Sequence, residues 1–95
     1  DQKTAQQTSG LEFTGNHPNP FNPSTEIRFS ISEPREVTVE VFDLLGRSVG
    51  VLVNDVMPVG PLTVNWNGDR LPSGVYLCRI TSGGMTLAKK MLLAK

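Results

Sequence analysis

The side chains able to do chemistry are few. One histidine, His17, and one cysteine, Cys78, are the only imidazole and thiol in the chain. A protein zinc site draws its ligands mostly from Cys and His, so the usual sets cannot be assembled. A Ser/His/Asp arrangement would have to rest on His17, which stands beside Pro18, and no Gly-x-Ser-x-Gly segment exists to hold a nucleophile. His17 is therefore expected to pack in a turn. Gly83-Gly84 reads as a hairpin turn, because neither a Walker motif nor a dinucleotide fingerprint surrounds it. The carboxylate pairs Glu33/Glu36 and Asp43/Asp55 fall on turns or exposed faces and are expected to be solvated. No loop carries the spaced acidic residues that calcium needs. The expectation is a chain with no catalytic residue, no metal ligand and no cofactor.

Binding is the remaining possibility. Small β folds hold glycans by stacking them on exposed aromatic rings, and the full aromatic set here is Phe13, Phe21, Phe29, Phe42, Trp66 and Tyr76. Only Phe42 and Phe13 are expected to lie outside the core. That is too few for a stacking platform, yet carbohydrate binding stays open as a second reading, with a passive structural spacer as a third.

The elements that must position these residues are strands. At 95 residues, with 38% hydrophobic and 19% charged side chains and no net charge, the chain has the profile of one globular domain, and nothing in it demands nucleic acid or membrane. No stretch has the length of an apolar membrane span or the pattern of a cleavable leader. Ile27, Phe29 and Ile31 alternate with Arg28, Ser30 and Ser32, a period of two that marks a half-buried strand over 26–32. Glu33-Pro34 breaks it. Val37, Val39 and Val41 repeat the pattern, and Asp43-Leu44-Leu45-Gly46-Arg47 then turns the chain, with Gly46 placed for a positive φ. Val49, Val51 and Val53 form the return strand with Leu52 out of phase, so its register stays open.

Leu62, Val64 and Trp66 alternate in the next strand, and Trp66 is expected to be the largest core block. Asn67-Gly68 signals a reversal. Tyr76, Cys78 and Ile80 share one face of a strand over 75–81, Ser82-Gly83-Gly84 turns, and 85–94 is the last strand. Cys78 has no possible intrachain disulfide partner and is expected to be a small buried hydrophobe. The count is about seven short strands with turn signals between them, the pattern of an all-β sandwich.

Two segments stand apart. Residues 1–10, polar and with three glutamines, read as a flexible linker tail ahead of a folded domain over 11–95, which opens with a short edge strand at Leu11 to Phe13, and a linker implies something upstream. Residues 16–25, Asn-His-Pro-Asn-Pro-Phe-Asn-Pro-Ser-Thr, hold three prolines within six residues and read as a stiff elbow. Its asparagines are expected to bond to their own backbone, and Phe21 to plug the elbow into the core. After Trp66, Arg70, Arg79, Lys89, Lys90 and Lys95 face only Asp69, so that end is basic. A solvated strand face and recognition by a receptor both account for it.

The order of features resembles the type A C-terminal sorting domain of type IX secretion substrates, related to the Ig-like domain of the flagellar hook-capping protein. The resemblance covers 16–95. It rests on Pro18-Asn19-Pro20-Phe21-Asn22-Pro23, on Leu45-Gly46-Arg47, on Trp66-Asn67-Gly68, on Ser73-Gly74-Val75-Tyr76 and on the ending Lys89-Lys90-Met91-Leu92-Leu93-Ala94-Lys95. Departures are small: His17 stands where tyrosine is common, Asn67 where aspartate is frequent, and Cys78 where an aromatic or aliphatic residue is usual. The resemblance implies a seven-stranded immunoglobulin-like or fibronectin-III-like antiparallel sandwich that is not an enzyme. It implies a sorting module that takes an upstream, covalently linked cargo through the periplasm and across the outer membrane to the cell surface or medium. The implied partners are the outer-membrane translocon and its sortase-type machinery, with no nucleic acid and no membrane insertion. By the same resemblance Lys89, Lys90, Met91, Leu93 and Lys95 are the candidates for recognition, and Pro18 to Pro23, Gly46, Trp66, Gly74 and Tyr76 are structural. An edge strand at the end of the chain would offer unpaired backbone to a partner, although Met91 and Leu93 also fit the core.

Overall fold

Where alternation places branched and aromatic side chains on one face, two such faces bury each other, and this chain does so in two sheets. The computed structural model describes residues 6–8 and 10–95, the side chains from residue 10 onward. Eight strands follow one another: β1 Gln6–Thr8, β2 Leu11–His17, β3 Ser24–Ile31, β4 Arg35–Phe42, β5 Ser48–Met57, β6 Gly60–Asn67, β7 Gly74–Ser82 and β8 Met85–Leu93. They pair antiparallel in the orders β1-β2-β3-β6 and β5-β4-β7-β8. With β1 set aside, the seven expected strands form three facing four, an immunoglobulin-like sandwich. Tyr76, near the start of β7, donates its hydroxyl to the Pro72 carbonyl four residues upstream at 2.6 Å, the corner tie of such folds. Cys78, two residues on, is fully buried and unpaired.

The alternation read from the sequence holds. Ile27, Phe29 and Ile31 of β3, Val37, Val39 and Val41 of β4, and Tyr76, Cys78 and Ile80 of β7 are all buried, joined by Leu11, Phe13, Trp66, Met91 and Leu93. Each complete burial of such a side chain contributes about 1.5–3 kcal/mol. The two buried polar residues are satisfied: Thr25 donates to the Pro18 carbonyl at 2.9 Å and Ser82 to the Glu36 carbonyl at 3.0 Å.

Three expectations need correction. Residues 6–8 of the stretch read as a linker form β1, in register with Leu11, Glu12 and Phe13; backbone pairing needs no apolar side chain, so composition does not report it. The rest of that expectation, residues 1–5 and 9, lies outside the described residues. The short edge strand expected at 11–13 runs on to His17 and lies between β1 and β3, with its bulge at Thr14, after Phe13. Phe13, expected near the surface, is therefore core, directly opposite Phe29.

The open register of β5 has a clear cause. Val39 pairs with Val53 and Glu40 with Val51, so Leu52 is an extra residue; Val41 pairs with Gly50 and Phe42 with Ser48, so Val49 is another. Two bulges bring Val49, Leu52 and Val53 against the core and turn Val51 outward, which no single period of two can describe.

Candidate functional site

The strand directions collect at one pole of the sandwich the elbow after β2, the β4–β5 hairpin, the β6–β7 loop and the end of β8. The elbow holds three cis X-Pro bonds, at His17-Pro18, Asn19-Pro20 and Asn22-Pro23. Asn16 donates to the Pro18 carbonyl at 3.2 Å and to Thr25 Oγ1 at 3.1 Å, the local bonding expected of an elbow asparagine. Asn19 behaves otherwise. Its Oδ1 accepts the Leu92 backbone N–H at 3.0 Å, across the whole length of the chain.

Phe21 completes that junction. It forms a parallel bridge with Leu93: its N–H donates to the Leu92 carbonyl and its carbonyl accepts the Ala94 N–H, both at 2.9 Å. Its ring is buried 5.5 Å from that of Trp66, which meets Tyr76 edge-on at 5.8 Å. The plug expected from sequence is thus the first ring of an aromatic row. Gly68 fits against it because it has no Cβ; one there would stand 3.0 Å from Leu93 Cδ2 and 3.6 Å from Phe21 Cε2. The Gly68 N–H donates to the Pro23 carbonyl at 2.9 Å, and Gly74 opens β7 opposite Leu93. Pro18, Pro20 and Asn22 stay at the surface.

The basic end is fastened too. The Lys95 ammonium donates to the carbonyls of Asp69 and Leu71, each at 2.7 Å, and its N–H to Ser73 Oγ at 3.0 Å. Of the five residues expected to meet a receptor, Met91 and Leu93 are 1% and 0% exposed and belong to the core. Lys89 is half-buried and runs past Gly15, Lys95 closes the β6–β7 loop, and Lys90 is exposed on the outer face. β8 is the edge strand of its sheet, as expected, but its last residues already have a partner: from Leu92 to Ala94 the elbow occupies the edge, because Phe21 arrives as a parallel partner.

The hairpin is built as tightly. Asp43 Oδ1 accepts the N–H groups of Leu45 at 2.9 Å and Arg47 at 3.0 Å, and Oδ2 accepts Arg47 Nε at 2.8 Å. The Asp43 N–H donates to the Arg47 carbonyl and Gly46 N–H to the Asp43 carbonyl, with Gly46 at φ 83° as its place in the turn requires. The Arg47 N–H, ahead of its guanidinium, holds the Asp43 carboxyl below the ordinary carboxylate value. Asp43, expected to be merely solvated, is the clamp of the turn. Burial pushes the Cys78 thiol up to about 12. His17 ends β2 exposed, on the rim of a cleft with Glu26 and Asn65, rather than packed in the turn.

Among the described residues no three of His, Cys, Asp or Glu come together as a metal site. The organised feature of this immunoglobulin-like sandwich is a last strand locked in place by a proline-rich elbow. Over residues 17–94 the chain matches the family model of the secretion system C-terminal sorting domain. It belongs to that family, the sorting domains of type IX secretion, which is a sorting and not a catalytic family. No match to a curated protein or to a solved structure was found.

Proposed function

We propose that this chain is the non-catalytic module that directs an attached cargo across the outer membrane to the cell surface or medium, through contacts with the outer-membrane translocon and its sortase-type machinery. The folded unit begins with β1 and runs through β8, and the residues ahead of it are the link to the cargo. Membership in the sorting family over 17–94 is the observation that carries this reading. Its physical corollary concerns what a receptor reads. With Leu92 to Ala94 occupied by the elbow, recognition at this end of β8 uses a folded surface and not an added strand. Lys90 then meets the receptor directly, Lys89 and Lys95 border it, and Met91 and Leu93 act by holding the strand from inside.

A carbohydrate platform finds no support, since five of the six aromatics are buried in the core and the Arg79 guanidinium lies 4.5 Å above the ring of the sixth, Phe42. The test is export. A periplasmic reporter fused to the full chain, in a bacterium carrying the type IX machinery, is expected at the cell surface or in the medium, and the reporter alone in the periplasm. Equal distribution of the two would sink the reading.

A further inference from the structure

The Asp43–Arg47 hairpin has more order than closing two strands requires. Five hydrogen bonds fix a tip whose two central residues, Leu44 and Leu45, are 72% and 77% exposed, the most exposed large hydrophobics among the described residues. A turn needs polar or small residues at such places, and leucines there cost solubility without adding packing. Rigidity at an apolar tip has one evident use, which is to lower the ordering cost of binding. Behind the tip, Leu44 borders a cleft of about 410 Å³ whose floor is Phe42, Val75 and Leu77 on the outer face of the β4-β7-β8 sheet. Lys90 stands on the same cleft. The neighbouring charges there are already engaged, Asp43 with Arg47 and Glu40 with Arg79, whereas Lys90 has no ion pair among the described residues.

Resting on the sorting reading, we propose that this hairpin and cleft are the face by which a protein component of the secretion machinery engages the domain, its apolar pocket taking Leu44 and Leu45 and a carboxylate meeting Lys90. A protein fits better than a lipid surface because the apolar area is a protruding tip beside a concave slot, which a flat bilayer cannot fill.

The experiment uses the full chain fused to the reporter, in the secreting host, with three changes. L44S/L45S removes the tip, K90E reverses the charge, and Val59→Ser, at an exposed valine of the opposite pole, is the control. All three variants are expected to melt within a few degrees of the parent, since exposed substitutions change stability little. Delivery is expected to fall about tenfold or more for L44S/L45S, severalfold for K90E, and not at all for Val59→Ser. A photo-crosslinking residue at position 44 is expected to trap a protein of the secretion machinery, and the same residue at position 59 none. Parent-level delivery by L44S/L45S, or no protein adduct at position 44, overturns the proposal. So does leucine-dependent binding of the purified chain to phosphatidylglycerol vesicles, which would transfer the face to lipid. If the parent fusion itself is not delivered, the sorting reading fails first and this one with it; if the parent and L44S/L45S are delivered alike, the hairpin proposal alone fails.

Discussion

Replacing Phe21 by alanine tests whether the elbow closes the sandwich or only rides on it. The ring is 1% exposed, packs on Trp66 and lies against Gly68 beside Leu93. Burying a phenylalanine contributes about 1.5–3 kcal/mol, and the cavity left by its removal adds to the loss. The elbow lies at the rim of the core and can partly collapse into the space left, so a cost of about 3–4 kcal/mol is expected, at the low end for buried Phe→Ala. For a domain of this size that lowers Tm by roughly 12–30 °C, and it removes a large share of a net stability of about 5–15 kcal/mol. Thermal melting by circular dichroism measures the first quantity. Amide exchange measures the second consequence: the Leu92 and Ala94 N–H groups, donors to Asn19 Oδ1 and the Phe21 carbonyl, are expected to lose protection first. A Phe21→Ala variant melting within 5 °C of the parent, with the Ala94 amide still protected, would refute the reasoning, because the last strand would then hold without its plug.

Other perturbations separate the contributions at the same pole. Tyr76→Phe removes the 2.6 Å bond to the Pro72 carbonyl and is expected to cost about 1–2 kcal/mol in chemical denaturation, with little effect from a matched change at an exposed site. Asp43 has its carboxyl pKa lowered by folding, so its stabilising effect is complete above the unfolded value and lost as pH falls through the folded one. The Tm gap between the parent and Asp43→Ala is therefore expected to be wide at pH 7 and to narrow below about pH 3.8; a gap independent of pH contradicts the clamp. Cys78, buried with its thiol pushed up to about 12, is expected to resist alkylation at pH 8 in the native state and to react only as fast as the domain unfolds. Gly68→Ala, whose new Cβ would meet Leu93 Cδ2 at 3.0 Å, is expected to destabilise the parent more than it destabilises Phe21→Ala, a coupling that a double-mutant cycle reads directly.

Period-two patterns carried the sandwich from sequence alone. Ile27, Phe29, Ile31 and the three valines of β4 needed only alternation, which reflects a local constraint of strand geometry. The elbow was visible through its prolines and Phe21 through being its one large apolar residue. What stayed hidden was relational. Asn19 looks the same in sequence whether it bonds to its own loop or to residue 92, and nothing near Lys95 announces that it ties down carbonyls of residues 69 and 71. The bulges of β5 were hidden because an inserted residue breaks the very period that reveals strands. That β8 is an edge strand is legible from its place at the end of the chain, but the partner at its last residues is not: only the topology shows that the elbow meets it from Leu92 to Ala94.

The parallel sense of the Phe21–Leu93 bridge bears on how the domain carries load. In a parallel contact the upstream end of one segment and the downstream end of the other leave in opposite directions. A pull applied through residue 16 and residue 95 therefore shears the two Phe21 backbone bonds and the Asn19–Leu92 bond together. An antiparallel hairpin pulled at its ends opens bond by bond, like a zipper, at low force. Here rupture requires several bonds and a buried aromatic ring to yield at once, so the seam acts as a mechanical latch against a pull between residues 16 and 95.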